Sequence, residues 1–568
     1  METGKKDIII ILLSVGILIS GSIDIYLSLQ APYRGIIWIF PQRTLVVGVP
    51  ASPPYIDPTD SWDLNANNVI NQVVECLWGY NFSDPDIPRI HMLAVNENWI
   101  SNTQLRVFLR EGVRFHDGTL FNAEAVKWNL DRLMYLCNFT RELDPDTQRL
   151  AKTHSLFEFS DGTPIFDHFG IVNETTIDIF LTAPYSPIMD LMCYVACGML
   201  SPASTPATRF IRLEDEDLVG TGPFDYEEYI LDTEVRFFGW FSYWKEPTEF
   251  DRLIYKCISN LNTRSYAMLA KSIDYLIGVD LIGDEYDLLN LFNDSLIVTV
   301  KKEVIPDVEY SYFIINNNKI NSTWRKAISY AINYSQLLEF AENYYHHCVS
   351  RAQSPISPAF FGYDQTNKAP DHNLTFSREI VISMGYGEPT WNSTQWRNAE
   401  FARWNYSYST SQEFNERMYQ ILENSLDLIG INLTKDILWS MWPIWSSYWD
   451  HNNFDIFYAK WNPTYLDPID TLVNLFSNSA ELNFGQVNDS LLEQKFTEAI
   501  QELNETARAE IYSEIQHYLT EELFPHIFGY HKIVYNVYAS DLYDILYNPL
   551  GTFYAYPIKR NDTWSPFS

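Results

Sequence analysis

Basic charge is what this chain of 568 residues has least of: 39 Lys+Arg stand against 73 Asp+Glu, a formal charge of −34. A surface that grips phosphates must be basic, so nucleic acid is excluded as a partner. An anionic membrane surface is excluded as the main one. Cysteine is also sparse, with Cys76, Cys137, Cys193, Cys197, Cys257 and Cys348 and none near the N-terminus, so a lipid-modified cysteine anchor is ruled out. Six is an even number, compatible with disulfides outside the cell, but spacing does not fix a pairing. Cys193 and Cys197, four residues apart, read as a helical core pair, because no second Cys/His pair at ligand spacing completes a zinc site. His346-His347-Cys348 reads as a surface or cleft-lining cluster, since adjacent residues cannot all face one ion. Internal repeats, low-complexity linkers, a P-loop and nucleophile motifs are all missing, and no metal or cofactor is expected.

What is present is apolar and aromatic. The 46% hydrophobic and 15% aromatic fractions supply large cores, too apolar for a disordered acidic chain. The length allows two large lobes. One long apolar run, Ile8 to Ile23, carries no charge over 16 residues and follows Lys5 and Lys6. Ser20-Gly21-Ser22 would suit cleavage as a signal peptide, whereas extension to Leu29 makes a tilted single span. Either reading exports the rest; a membrane-anchored chain with its binding domain outside is the expectation. Thirteen Asn-x-Ser/Thr triplets, from Asn81 to Asn561, agree with export and suggest a glycoprotein.

Apolar periodicity predicts strands at Thr44–Val49, Gln104–Leu109 and Thr176–Leu181. It predicts helices at Asn67–Leu77, Ala123–Met134, Thr323–Ala341, Glu413–Ile429 and Leu491–Leu519. This mixture gives an α/β fold. The segment Leu109 to Met134, LREGVRFHDGTLFNAEAVKWNLDRLM, resembles the extracellular solute-binding proteins of ABC importers, in the dipeptide/oligopeptide/nickel-binding family. Further blocks resemble that family in order: Val74 to Leu77, Val219 to Phe224, Phe238 to Leu253, Trp324 to Asn333, Leu428 to Ile431, and Asn453 to Pro468. Ala125 and Ser272 depart from the pattern at positions not expected to meet ligand.

The resemblance implies a two-lobed periplasmic-binding-protein-like fold of type II with an accessory subdomain. The expected parts are an anchor at 1–40, lobe I at 41–75 and 205–305, the accessory subdomain at 76–204, lobe II at 306–525, and a return to lobe I at 526–568. Phe115-His116-Asp117-Gly118 reads as a hairpin turn, and Gly220-Thr221-Gly222-Pro223 as a tight interlobe turn needing a positive φ at a glycine.

Trp439, Trp442, Trp445 and Trp449 would stripe one face of a helix. By the resemblance, Trp442 and Trp461 fall where cleft-lining tryptophans sit. Flat aromatic walls suit peptide side chains and sugar rings alike. In peptide-binding members an Asp three residues after the second Trp pairs with the ligand ammonium; here that residue is Thr464, in Trp461-Asn462-Pro463-Thr464. A hydroxyl does not neutralise a buried ammonium, so an unblocked peptide is less favoured. The expected ligand-binding residues are Trp442, Trp461, Asn462 and Thr464, with Trp62 from the first lobe. The expected function is capture of an oligopeptide-like or other small solute and its delivery to an ABC permease and its ATPase subunits. An oligosaccharide-binding member of the same family, a glycoside-active enzyme and a sensor receptor are the alternatives.

Overall fold

The computed structural model describes residues 43–81, 89–139, 150–159, 161–213, 216–277, 292, 295–303, 306–345, 348–409, 413–438 and 454–561. Thr44–Val49 forms the strand its Val-rich run predicts, with a parallel neighbour on each side. Leu45 and Val47 are fully buried, as a strand inside an α/β sheet requires. The sheet has seven strands in the order Val298–Lys302, Tyr535–Ala539, Tyr275–Leu276, Thr44–Val49, Arg252–Cys257, Glu234–Gly239, Phe224–Ile230.

Between the first strand and the rest of that sheet, in chain order, comes a four-stranded antiparallel sheet, ordered Ala94–Ser101, Gln104–Leu109, Thr176–Leu181, Phe166–Asn173. Helix Ala123–Leu136 packs on it through its apolar stripe, burying Val126, Leu130 and Leu133. Asn122 starts that helix by accepting the Ala125 N–H at 2.9 Å. A six-stranded sheet, ordered Val349–Arg351, His526–Lys532, Tyr310–Ile315, Ile456–Trp461, Ala402–Ser409, Ile431–Leu438, builds the second lobe.

The chain passes from one large sheet to the other between Lys302 and Tyr310, and back between Lys532 and Tyr535. The crossings run side by side: Glu303 N–H donates to Val534 O at 3.1 Å, and Asp307 N–H to Lys532 O at 2.9 Å. Strand His526–Lys532 therefore completes the six-stranded sheet, and the return falls later than the 525/526 boundary expected from sequence.

Two long helices read from periodicity are each a pair. Thr323–Ala341 divides into Ser322–Ala331 and Tyr334–Tyr344, and Leu491–Leu519 into Ser490–Gln501 and Glu505–Tyr518. In both, an asparagine restarts the helix: Asn333 accepts the Gln336 N–H at 3.1 Å and Asn504 the Ala507 N–H at 3.0 Å. The first helix is Leu64–Val73, shifted toward the N-terminus because Asp63 caps it and Val74 is already extended.

The glycine reading of the Gly-Thr-Gly-Pro loop needs correction. Neither Gly220 nor Gly222 has a positive φ. Glycine is required there by close approach, since a Cβ on Gly220 would stand 2.1 Å from Val73 O and one on Gly222 2.8 Å from Gln72 O. The hairpin reading at Asp117-Gly118 holds: Gly118 has φ +83° and its N–H donates to Phe115 O at 2.8 Å. His116 is structural, its ring bonding Gly222 O at 2.9 Å, and burial lowers its pKa to about 4.

Candidate functional site

Trp461 ends strand Ile456–Trp461 opposite Tyr310, and the chain turns there into helix Pro468–Phe476. The half-buried indole donates its N–H to Thr471 Oγ1 on that helix at 3.2 Å. Asn462 is exposed and Thr464 is half-buried. The Thr464 N–H donates to Asp470 Oδ2 at 2.6 Å. Asp467 caps the helix, with Pro468 in its first turn and the Ile469 N–H donating to Asp467 Oδ1 at 3.0 Å. Its carboxylate also accepts the Tyr512 hydroxyl at 2.5 Å and faces Arg508 Nη2 at 3.4 Å. Asp467 is thus committed to the helix start and to the packed helix Glu505–Tyr518.

Asp470 is held by amides rather than by a cation. It is 3% exposed, and burial, with the Asp467 charge adding, pushes its pKa up to about 7 against the pull of the Thr464 and Tyr465 amides. The loop 462–467 meets residues from the first third of the chain. Tyr465 and Tyr185 hydroxyls meet at 2.8 Å, and the Leu466 N–H donates to Tyr80 Oη at 3.0 Å. Beside them Arg89 bonds Asp190 at 2.5 Å and also reaches Glu505. Burial raises the Asp190 pKa to about 6, with Arg89 opposing and Asp467 adding to the rise. Ser186 completes the seam, its N–H donating to Ile500 O at 2.7 Å.

A family model described as bacterial extracellular solute-binding proteins, family 5 Middle, matches residues 91–483. The chain belongs to this family. Among curated proteins it is similar to the glutathione-binding protein GsiB of Pectobacterium atrosepticum, 25% identical over 401 residues, covering 70% of this chain and 69% of that one. Among solved structures it is similar to HbpA2 from Haemophilus parasuis, with a TM-score of 0.73 at 19% identity, covering 91% of this chain and 100% of that one. It is also similar to the DppA periplasmic binding protein of Helicobacter pylori in complex with the peptide STSA, with a TM-score of 0.68 at 18% identity over 91% and 98% of the two chains. The fold is that of the type II periplasmic binding proteins, and the family's members bind solutes and are not enzymes.

For a family 5 solute-binding protein, three of the sequence blocks have a common physical purpose. Glu75, buried just beyond helix Leu64–Val73, accepts Thr221 Oγ1 at 2.9 Å, Tyr243 Oη at 2.6 Å and Trp244 Nε1 at 2.7 Å. One carboxylate therefore ties the Gly-Thr-Gly-Pro loop and the Tyr-Trp segment to the helix end. Burial raises its pKa, and the three donors oppose the rise.

The structure joins Trp461 and Thr464 in one loop–helix unit. Trp62 stands apart at 45% exposure. Its backbone N–H donates to Tyr55 Oη at 3.1 Å. Trp442, with Trp439, Trp445, Trp449, His346 and His347, lies outside the described residues. Asp470, Tyr185 and Tyr80 were not expected. Asp470 had a signal, since Asp467-Pro468-Ile469-Asp470 reads as a helix start with an acid in its first turn. The tyrosines had none. A cavity of about 370 Å³ between Lys127, Trp128, Tyr135 and His168 is lined by none of the four expected residues that are described, Trp62, Trp461, Asn462 and Thr464. Among the described residues no cluster of His, Cys, Asp or Glu is arranged to hold a metal, and the six cysteines are unpaired.

Proposed function

We propose that this protein captures a small peptide-like solute between its two lobes and hands it to an ABC permease with its ATPase subunits. The observation that carries the reading is the Trp461–Asp470 unit: an indole held by Thr471 at the end of a lobe II strand, on the loop that meets Tyr80 and Tyr185 of the opposite side. Family membership and relatives described as binding glutathione or a peptide support it. An aromatic face fixed at its N–H leaves its ring to pack on a ligand, and desolvation supplies the affinity. Two lobes joined by paired crossings suit trapping by hinge closure.

A second reading, an oligosaccharide, is favoured by Thr464, because a hydroxyl matches a neutral solute better than an ammonium. Trp62 and Asn462 are proposed as peripheral contacts, and Trp442 as the second aromatic wall. The apolar run 8–29 is proposed to hold the protein at the membrane with the lobes outside, open to N-glycosylation. No helix among the described residues is long and apolar enough to cross a membrane.

Thermal denaturation of the purified protein with tripeptides, glutathione and oligosaccharides tests the solute class. One peptide-like ligand is expected to raise the midpoint; a rise with sugars alone replaces the first reading by the second, and no rise with any solute counts against both.

A further inference from the structure

We infer that Asn321, Asn405 and Asn488 carry N-linked glycans, placing a sugar coat on the end of lobe II opposite Trp461. The inference rests on the proposed export. Each of the three opens an Asn-x-Ser/Thr triplet, completed by Thr323, Ser407 and Ser490.

The fold treats the triplets differently. Asn321, Asn405 and Asn488 are exposed. Asn321 Oδ1 accepts the Trp324 N–H at 3.0 Å, and Asn405 Oδ1 accepts Thr434 Oγ1 at 2.5 Å. In both the carboxamide oxygen is occupied, while Nδ2 donates to no described group; Asn488 bonds through neither atom. N-glycosylation takes place at that nitrogen. Nδ2 attacks C1 of an oligosaccharide linked to a lipid phosphate, and the Nδ2–C1 bond forms as the C1–O bond breaks. The lipid phosphate leaves with the electron pair, and one amide proton passes to base. Oδ1 is untouched, so the hydrogen bonds it accepts survive. Asn432 is the contrast: it is half-buried and stands beside the Glu400 carboxylate, so a sugar there would crowd a folded neighbour.

Register fixes where the three lie. Strands Tyr310–Ile315 and Ile456–Trp461 are antiparallel, with Tyr310 opposite Trp461 and Ile315 opposite Ile456. The Ile456 end is therefore about 17 Å from Trp461 at roughly 3.4 Å per residue. Asn321 follows the turn leaving Ile315, where the Asn316 N–H donates to Asp455 O at 2.8 Å. The Asn405 N–H donates to Asp455 Oδ2 at 2.9 Å. The segment before Asn488 is tied to the same turn, since the Asn317 N–H donates to Gly485 O at 2.8 Å and Asn318 Nδ2 to Gln486 Oε1 at 2.8 Å. Sugars on these residues would sit at the far end of the sheet and leave the Trp461 loop uncovered.

Peptide mapping by mass spectrometry of the full-length protein, purified from its own cells, tests this. Glycopeptides are expected at Asn321, Asn405 and Asn488, with Asn432 unmodified. Thr323→Ala and Ser490→Ala should each remove one glycan while keeping Asn321 as a helix cap and Asn488 unchanged; Asn405→Gln serves for the third, because Ser407 is buried. Protease added to intact cells separates the possible failures. Unmodified peptides at all three sites in protein that the protease digests overturn the inference and leave export standing. Unmodified peptides in protein shielded from the protease overturn both.

Discussion

Asp470→Asn removes a buried carboxylate whose ionisation the fold opposes, and its effect should depend on pH in a defined way. Burial, with Asp467 nearby, lifts the pKa of Asp470 from the ordinary 3.8 to about 7. A carboxyl group with a raised folded pKa stabilises the fold at low pH and loses that contribution as pH rises through the folded value. Each pH unit between the two values is worth about 1.4 kcal/mol. Between about pH 8 and about pH 5.5 the wild-type protein should therefore gain about 2 kcal/mol from this one residue, and the Asp470→Asn variant nothing. The wild-type curve alone does not reveal this. Burial lowers the pKa of His116 to about 4, His526 to about 3 and His531 to about 4, and buried neutral imidazoles lose stability as pH falls below about 6.5. Those terms oppose the aspartate and are common to both proteins. The assay is urea denaturation of both at a series of pH values, and the quantity read is the wild-type stability minus that of the variant. The amide oxygen that Asp470→Asn introduces still accepts the Thr464 N–H, so any lost hydrogen bonding gives a constant offset. The difference should be flat above about pH 8, begin to rise near pH 7 and have gained about 2 kcal/mol by about pH 5.5. Parallel curves across this range would refute the placement of Asp470 as a buried, raised carboxyl.

Two further outcomes can be checked. Trp461→Ala should weaken solute binding by about 1–3 kcal/mol in calorimetric titration, as for other aromatic anchors, and unchanged affinity in a folded variant removes Trp461 from the site. Asp57→Ala should cost about 3–5 kcal/mol in urea denaturation, because it strands a buried guanidinium. Asp57 is fully buried and bonds Arg132 at 2.5 Å, while Arg132 also donates to Pro206 O and Arg209 O. Adding Arg132→Met should recover part of that loss, and a double variant no more stable than the single one would show that the charge left behind is not the cause.

The sequence is informative where structure is local. Gln104–Leu109 and Thr176–Leu181 have the predicted bounds; the first alternates because one face is buried, whereas in the second every residue but Phe180 is buried. Thr323–Ala341 reads as one helix because its apolar period continues through Ile332, yet the Asn333 side chain offers the next turn a cap and the chain breaks there. The same limit governs the site. Trp461, Thr464 and Asp470 lie close together in the chain and could be read as a group, whereas Tyr185 meets Tyr465 across 280 residues of chain. Only the topology brings that pair into contact.

The charge arrangement at Thr464 bears on which solutes suit the cleft. The resemblance implies a carboxylate at this position in peptide-binding members, where this chain has Thr464. Here the nearby carboxylate belongs to Asp470, further along the chain, and it lies beneath the loop at 3% exposure, with Oδ2 occupied by the Thr464 N–H. Asp467 is held by Tyr512 and Arg508. The negative charge of the segment therefore supports the backbone and the packed helices. A ligand ammonium buried against Thr464 would lose its hydration, at a cost of several kcal/mol, with only a hydroxyl dipole in return. Selection should then fall on solutes whose contact at this point is neutral, with Trp461 supplying apolar area and Thr464 a single directed hydrogen bond. The −34 net charge does not alter this, because screening reduces the effect of exposed charges beyond about 8–10 Å. Under the proposed function, ligand preference should therefore follow the hydroxyl at Thr464 and the helix that keeps Asp467 and Asp470 occupied.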